Sequence, residues 1–541
     1  MTETKAMATA ELVDRFRSPE PYLFRVDRVG FVETHVSWLF FAGKRVYKVK
    51  KPVNLGFVDL TTLERREHFC REEVRLNRRL APEVYLGVVP ITRENDGSLR
   101  LAGKGPVVEY AVEMVRLPAA RLMSRLLEHG EIDNERMNHL ARVLVDFHRD
   151  VDRGPFADEC ATPEQLRWNA EENFRQIRPF AGDMSASADD VVTISPHLLS
   201  HLRKGSIEFL EKNDALLRKR IRDGRIVEGH GDLHAENICF LRDRIVIYDC
   251  VEFTTRFRCG DVAADLAFLC MDLDLREYRG FSRYLARRYT ELSRSGEMMR
   301  LLDYYKSYYA IVRGKVQSLL ADDPGASPEV RALALQSARR YFQLSASYRM
   351  APGLILLCGL PGSGKSTLSR SLSSPFEAVI LKTDVERKKI ARKRGESTEP
   401  DGFGTGLYRP EMVSLTYEAV LAEARRLLAA GRTVVVDATL SRRAVRDRFR
   451  HLGAAAGAPT AIVHVTCPED EVRRRLEVRK RRAIDPSDAD WSVYVEARKG
   501  FERPSGEGGV PVLEVVSGAE PDEVQSGRLV DLLIGQGSAA D

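Results

Sequence analysis

The stretch Gly359-Leu-Pro-Gly-Ser-Gly-Lys-Ser366 follows an apolar run, Leu354-Ile-Leu-Leu-Cys358, and leads into the helix-forming Thr367-Leu-Ser-Arg370. Few short segments constrain a fold so closely. A buried strand has to end, glycines have to turn the backbone N–H groups inward, and a helix has to follow with its positive dipole end on the same point. Strand, loop and helix in that order belong to an α/β layout with a mainly parallel sheet. Gly359, Gly362, Ser363, Gly364, Lys365, Ser366 and Thr367 are therefore candidate nucleotide-binding residues. Lys365 suits the β- and γ-phosphates, and the Ser366 hydroxyl suits a magnesium ion.

A second pattern lies upstream. His230-Gly-Asp-Leu-His-Ala-Glu-Asn237 separates an acid, Asp232, from an amide, Asn237, by five positions. Phosphoryl transfer to an alcohol needs a carboxylate to accept or orient the hydroxyl proton, and an oxygen ligand for magnesium on the far side of the moving group. Asp232 fits the first need and Asn237 the second. Further on, Ile247-Tyr-Asp-Cys-Val-Glu252 ends a β-rich stretch with Asp249, a second magnesium candidate, and with Glu252, read as a salt-bridge partner or a further metal or substrate contact.

The chain has 541 residues, too many for one ordinary core, so two or three domains are expected. Hydrophobic residues make up 43% and charged residues 30%, which excludes a disordered or fibrous chain. No apolar run is long enough to cross a bilayer, and Met1-Thr-Glu-Thr-Lys-Ala-Met-Ala8 lacks the basic-then-apolar order of a secretory signal, so the reading is cytoplasmic with no membrane partner. The eight cysteines form no Cys-x-x-Cys pair, which argues against zinc or a disulfide framework. A net charge of +5 gives no global polyanion footprint, so nucleic acid is not the expected partner. The oligomeric state is not legible.

Alternation over Val36–Lys50 predicts two strands turning near Gly43, a helix follows over Leu63–Leu80, and a strand pair spans Leu86–Met114 with a turn at Asn95-Asp-Gly97. Helical sequence fills Ala119–Asp152 and Asp261–Leu344, with short strands between them around the Asp232 loop. From Leu354 onward, strands at Leu354–Leu357, Ala378–Leu381, Thr433–Val436 and Ala461–Val465 alternate with helices. The expected division is 25–345, a linker at 346–352, a second domain at 353–534 and a flexible tail at 535–541.

His230-Gly-Asp-Leu-His-x-x-Asn237, with Asp249 and Asp261-Val-Ala-Ala-Asp-Leu-Ala267, resembles the aminoglycoside phosphotransferase family, relatives of choline and protein kinases. The resemblance implies an α+β bilobal protein-kinase-like domain over 25–345. It also implies Asp232 as the catalytic aspartate, Asn237 and Asp249 as metal ligands, His230 as a prop of the loop, and Asp265 as an anchor of the loop or of a helix cap. Its phosphate lysine falls on Lys48, with Lys50 and Lys51 as alternatives, and its partner acid on Glu73 or Glu72. No Gly-x-Gly-x-x-Gly precedes that lysine; Glu33-Thr-His-Val-Ser37 occupies the position. Glu109–Leu117 resembles the interlobe hinge, which makes Glu113 a candidate at the nucleotide edge. A polycationic acceptor needs an acidic pocket, for which Asp272 and Asp274 are candidates.

In the second domain, Asp384 at a strand end is a candidate base with Arg387 a turn away, and Asp437 ends Val434-Val-Val as a candidate magnesium residue. Arg473–Arg482 reads as a lid whose Arg475 and Arg479 neutralise the transferring phosphoryl group. Together these pieces resemble the zeta-toxin, gluconate-kinase and polynucleotide-kinase group of P-loop kinases, akin to AAA-type ATPases. The implied activity is a bifunctional ATP-dependent phosphotransferase (GTP being possible) that uses Mg2+ and acts on hydroxyls of small molecules such as sugars, polyols or aminoglycosides. The alternatives are a regulatory nucleotide-binding protein, or a nucleic-acid 5′-hydroxyl kinase in the second domain.

Overall fold

The computed structural model of the protein describes residues 3–56, 58–184, 190–396, 406–482 and 490–537. It divides into two compact units. The first comprises Met1–Trp168 and Leu210–Lys306, and the second Asn169–Phe209 and Ser307–Asp541.

In the first unit a helix, Glu3–Phe16, precedes a six-stranded antiparallel sheet. Its strands are β1 (Val29–Glu33), β2 (Ser37–Ala42), β3 (Arg45–Lys50), β4 (Tyr85–Arg93), β5 (Leu99–Leu101) and β6 (Val107–Val115), in the order β1-β2-β3-β6-β4-β5. The predicted β2–β3 hairpin is present in the register Ser37↔Lys50 to Ala42↔Arg45, with Gly43 at φ +58° in its turn. Side chains alternate across the sheet. Phe40, Tyr47, Val49 and Ala111 build one core with Phe16 and Tyr22. Val46, Val112 and Met114 build another with Cys70 and Val74 of the helix Leu63–Asn77.

Beyond the sheet come the helices Asn134–Asp150, Val262–Leu275 and Arg279–Ser293, together with four short strands. Of these strands, β7 (Ile226–Glu228) pairs with β10 (Cys259–Asp261), and β8 (Ile238–Phe240) pairs with β9 (Ile245–Ile247). The segment 229–237, which carries Asp232, runs from β7 to β8.

The second unit holds a five-stranded sheet in which every pairing is parallel, ordered β12-β13-β11-β14-β15. Its strands are β11 (Leu354–Cys358), β12 (Val379–Lys382), β13 (Val434–Asp437), β14 (Thr460–Thr466) and β15 (Val512–Val516). Four match the expected strands; β15 is an addition. The central strand β11 is buried on both sides. Leu354 and Leu356 join Val434, Val436 and Phe449, while Ile355 and Leu357 join Val435, Val463 and Leu529. The last helix, Asp522–Gly537, is covered in turn: Val530 and Ile534 pack with Phe174, Leu198, Leu202, Ile311 and Phe342. Segments 169–209 and 307–347 thus share a core with the parallel sheet's covering helix although they precede it in sequence. Among the described residues no helix is long and apolar enough to cross a membrane.

All eight cysteines are free, and six are buried. Half-buried Cys160 differs. A hydrogen bond from the Cys259 thiol holds it down to about 7, aided by Arg258 and Arg256, whereas burial pushes Cys70, Cys250 and Cys270 up to about 12. Iodoacetamide at pH 7.5 is therefore expected to modify Cys160 first, at least about tenfold faster than the other thiols. Peptide mass spectrometry over a time course reads this directly.

Candidate active sites

In the first unit the loop carrying Asp232 is fixed from behind by one buried carboxylate. Asp265 accepts N–H bonds from His230 at 2.6 Å and Gly231 at 2.9 Å, and lies 3.2 Å from His148 Nε2. Burial opposes its ionisation, but His148, His230 and these bonds outweigh it and hold the Asp265 carboxyl below its usual value. Burial also pushes His230 below its ordinary value. Its Nδ1 accepts from Asp232 N at 3.3 Å and its Nε2 faces Tyr248 O at 3.0 Å, so the network selects the neutral Nε2–H form. The expected roles of His230 and Asp265 in holding the loop fit these contacts.

Gly231 has φ +81°, and a Cβ there would lie 2.6 Å from Phe257 O and 2.9 Å from Arg258 Cα. Gly231→Ala is expected to destabilise the first unit by about 2 kcal/mol or more. A lowered first unfolding transition in a thermal melt checks this, with Gly87→Ala, where nothing lies within 4 Å of the added methyl, as the near-neutral control.

Asp232 stands 30% exposed with His234 Nε2 at 3.3 Å from its Oδ2. Asn237 spends its amide N–H on Asp232 O at 3.1 Å, which leaves the amide oxygen as its ligand atom. Asp249 follows β9 at φ +64°, and its backbone N–H is held by Tyr85 Oη at 3.2 Å. Its carboxylate accepts from Lys48 Nζ at 2.7 Å. Burial resists ionisation of Asp249, yet the Lys48 charge and hydrogen bond prevail and keep it below the ordinary carboxylate value. That side chain is also 46% accessible, which is consistent with a group enclosed by protein but facing an open cleft.

Lys48 also lies 2.8 Å from Glu73 Oε1, a charge contact; its aligned hydrogen bond goes to Asp249. Of the two acids considered, Glu73 is the partner, because Glu72 turns outward to Arg75. Of the alternative lysines, Lys51 reaches Glu33 at 2.6 Å and is not part of the group. Glu33-Thr-His-Val-Ser37 forms a tight β1–β2 turn, closed by Ser37 N to Thr34 Oγ1 at 2.9 Å.

Glu113 is a correction. It pairs in register with Tyr47, and Tyr47 Oη donates to it at 3.0 Å. It therefore lies on the face opposite Lys48, whose partner is Val112, and β6 is paired on both sides by β3 and β4. Neither its side chain nor a spare backbone edge faces the Lys48 cleft. The acidic-pocket expectation also gives way. Asp272 accepts from Ala235 N at 2.9 Å and from Arg276, Asp274 accepts from Lys306 at 3.0 Å, and both are buried. They brace the structure.

In the second unit all strands run the same way, so the segments after β11, β12, β13, β14 and β15 gather at one edge of the sheet. Gly359, Gly362 and Gly364 take φ of +155°, +77° and +99°. A Cβ at Gly359 would lie 2.4 Å from Val465 O, and one at Gly364 2.4 Å from Ser517 Oγ. The loop tolerates only glycine at these points. Buried Ser363 has an Oγ without a hydrogen-bond partner among the described residues, and Thr367 is exposed on the first helical turn. Lys365 Nζ folds back on the carbonyls of Gly359 and Leu360 at 2.8 and 2.9 Å. Ser366 Oγ donates to Asp437 Oδ2 at 2.8 Å, bringing the two expected magnesium residues together.

Asp384 and Arg387 form a 2.7 Å pair on the helix Thr383–Lys393, with the guanidinium over the Tyr408 ring at 4.6 Å. Arg475 reaches Ser517 Oγ at 2.9 Å, beside Gly364. Ser517 had no signal in the sequence; it comes into place only because β15 lies beside β14. The side chain of Arg479 and the segment 483–489 lie outside the described residues.

Both donor sets, an aspartate with an amide oxygen and a serine hydroxyl with an aspartate, are the hard oxygen ligands that magnesium takes.

Uncharacterized proteins of Mycobacterium tuberculosis and Mycobacterium bovis are 31% identical to this chain over 438 residues, covering 80% of it and 82% of theirs. The phosphotransferase enzyme family matches residues 57–301, and an AAA domain matches 354–504. The chain belongs to one family with these mycobacterial proteins. It joins a phosphotransferase module to a P-loop kinase-like module. Among solved structures, the amicoumacin kinase hAmiN is 11% identical over 63% of this chain and 93% of its own, with a TM-score of 0.37. A gluconokinase from Sinorhizobium meliloti is 20% identical over 36% of this chain and 95% of its own, with a TM-score of 0.25.

Proposed function

We propose that the chain is a bifunctional ATP-dependent phosphotransferase, each module moving a γ-phosphoryl group to a hydroxyl of a small molecule such as a sugar, polyol or aminoglycoside-like compound. The observation that carries this reading is the joined set Lys48, Glu73 and Asp249 beside a braced Asp232 loop. A regulatory module that only bound nucleotide would have no use for an acceptor-facing carboxylate. In the phosphotransferase module Asp232 takes or orients the hydroxyl proton, and Lys48, placed by Glu73, holds phosphate oxygens. In the P-loop module Lys365 holds the β- and γ-phosphates, Asp384 serves the acceptor hydroxyl, and Arg387 and Arg475 neutralise phosphoryl charge. Asn237 with Asp249, and Ser366 with Asp437, would hold magnesium, which screens the phosphate charge when bound. ATP is the expected donor, GTP being the competing one, and a cytoplasmic setting supplies either.

The test is ATP turnover by wild type, Asp232→Ala, Lys365→Ala and the double variant, with a pooled extract of sugars, polyols and aminoglycosides. Mass spectrometry looks for products heavier by one phosphoryl group. Loss of a different product in each single variant supports two kinases. If no acceptor gains phosphate and only Lys365→Ala lowers turnover, the chain is a regulatory ATPase. If the phosphate acceptor proves to be a nucleic-acid 5′ end, the small-molecule reading fails for that module.

A further inference from the structure

Residues two apart in a strand share a face, so β3 presents Lys50 on the same side as Lys48. Their surroundings differ. The Lys48 side chain is 11% exposed, while that of Lys50 is 1% exposed. A lysine so enclosed persists only when paired. Lys50 is paired twice, donating from Nζ to Glu73 Oε2 at 2.7 Å and to Glu252 Oε1. Glu73 is fully buried and is shared between the lysines, with its aligned hydrogen bond coming from Lys50. The result is an unbroken series, Asp249–Lys48–Glu73–Lys50–Glu252, whose two ends lie three residues apart on the segment after β9.

We propose that Lys50 is a positioning residue of the phosphotransferase site, holding Glu73 in place and tying it through Glu252 to the segment that carries Asp249. The inference rests on the reading of this cleft as a nucleotide site. A phosphate entering the cleft competes for Lys48, and a cation competes for Asp249, so both groups must leave the mutual contact they keep here. Glu73 then loses part of its neutralising charge while remaining fully enclosed. Lys50, out of reach of the cleft, is the cation that stays. It keeps Glu73 ionised and aimed at Lys48, and it keeps Glu252, and with it the Asp249 segment, at a fixed distance from β3.

The experiment uses the full chain carrying Lys365→Ala, so that the P-loop is silent, with MgATP and the pooled extract of sugars, polyols and aminoglycosides supplied and Asp232-dependent ADP release as the readout. In that background Lys50→Met is expected to lower kcat about a hundredfold and to raise the Mg2+ concentration for half-maximal rate several-fold. Lys50→Arg restores most of both. Glu252→Gln is expected to shift the Mg2+ requirement in the same direction with a smaller loss of kcat. A folded Lys50→Met protein with unchanged kcat and unchanged Mg2+ requirement overturns the proposal. If Lys50→Met does not fold, Glu252→Gln decides by the same Mg2+ readout, an unchanged requirement again overturning it. Absence of any Asp232-dependent ADP release in the Lys365→Ala parent is a separate failure, that of the phosphotransferase reading of this module.

Discussion

Asp232→Ala is expected to cut phosphoryl transfer by the first module about a thousandfold while leaving the fold and the P-loop reaction intact. The loop does not depend on this side chain for its shape. Asp265 holds the N–H groups of His230 and Gly231, Asp272 holds that of Ala235, and Asn237 bonds to the Asp232 carbonyl and not to its carboxylate. Removing a 30% exposed carboxylate therefore deletes the proton acceptor and its 3.3 Å contact with His234, while these main-chain bonds remain. Asp232→Asn, which keeps the shape and removes the basicity, should fall nearly as far. The check is product-resolved mass spectrometry alongside a thermal melt. Retention of more than about a tenth of the wild-type rate in a folded Asp232→Ala protein would remove Asp232 from the role of base.

Lys365→Ala is expected to have the second large effect, lowering turnover by the P-loop module about a hundred- to a thousandfold and weakening its nucleotide binding. The lysine sits at the start of the helix Lys365–Ser373, where the loop N–H groups and the helix end already favour an anion. Its ammonium rests on the Gly359 and Leu360 carbonyls at 2.8 and 2.9 Å. Binding falls less than turnover, because the backbone cradle survives the substitution. Titration with a fluorescent ATP analogue in a Lys48→Ala background and steady-state turnover in an Asp232→Ala background separate the two. Equal turnover with and without Lys365 would falsify the assignment.

Much of this was legible because the decisive patterns are local. The P-loop needs only a strand, three turning glycines and a helix start, all within Leu354–Arg370. The β2–β3 hairpin follows from alternation around Gly43, and the Asp232 loop from fixed spacing. Glu113 failed for a physical reason: a single step along a strand exchanges faces, and matching a hinge by resemblance does not fix which face a residue takes. Asp274 looked like a pocket acid because its partner Lys306 lies on a helix 32 residues further on, brought near only by packing, and Asp272 because the i,i+4 pair it makes with Arg276, just past the helix end, was not read. β15 escaped notice because Glu514 interrupts the apolar run of Val512–Val516, and only its pairing with β14 at the sheet edge gives the segment its place. Lys50 could be named only as an alternative to Lys48. Its distinct position depends on Glu73 and Glu252, the latter more than two hundred residues away, and no spacing rule reports such a contact.

The shared core around Val530 and Ile534 bears on how this chain can be handled and how it could have arisen. A fragment starting at Gly353 keeps the entire parallel sheet and every P-loop residue but loses Phe174, Leu198, Leu202, Ile311 and Phe342, the side chains that cover its last helix. Each large apolar side chain uncovered forfeits about 1.5–3 kcal/mol of burial and leaves an adhesive stripe on the surface. The two modules are not interchangeable cassettes joined by a tether. A gene cut at the sequence boundary severs one hydrophobic core, so any ancestor that carried the second module alone must have dressed that helix with other residues.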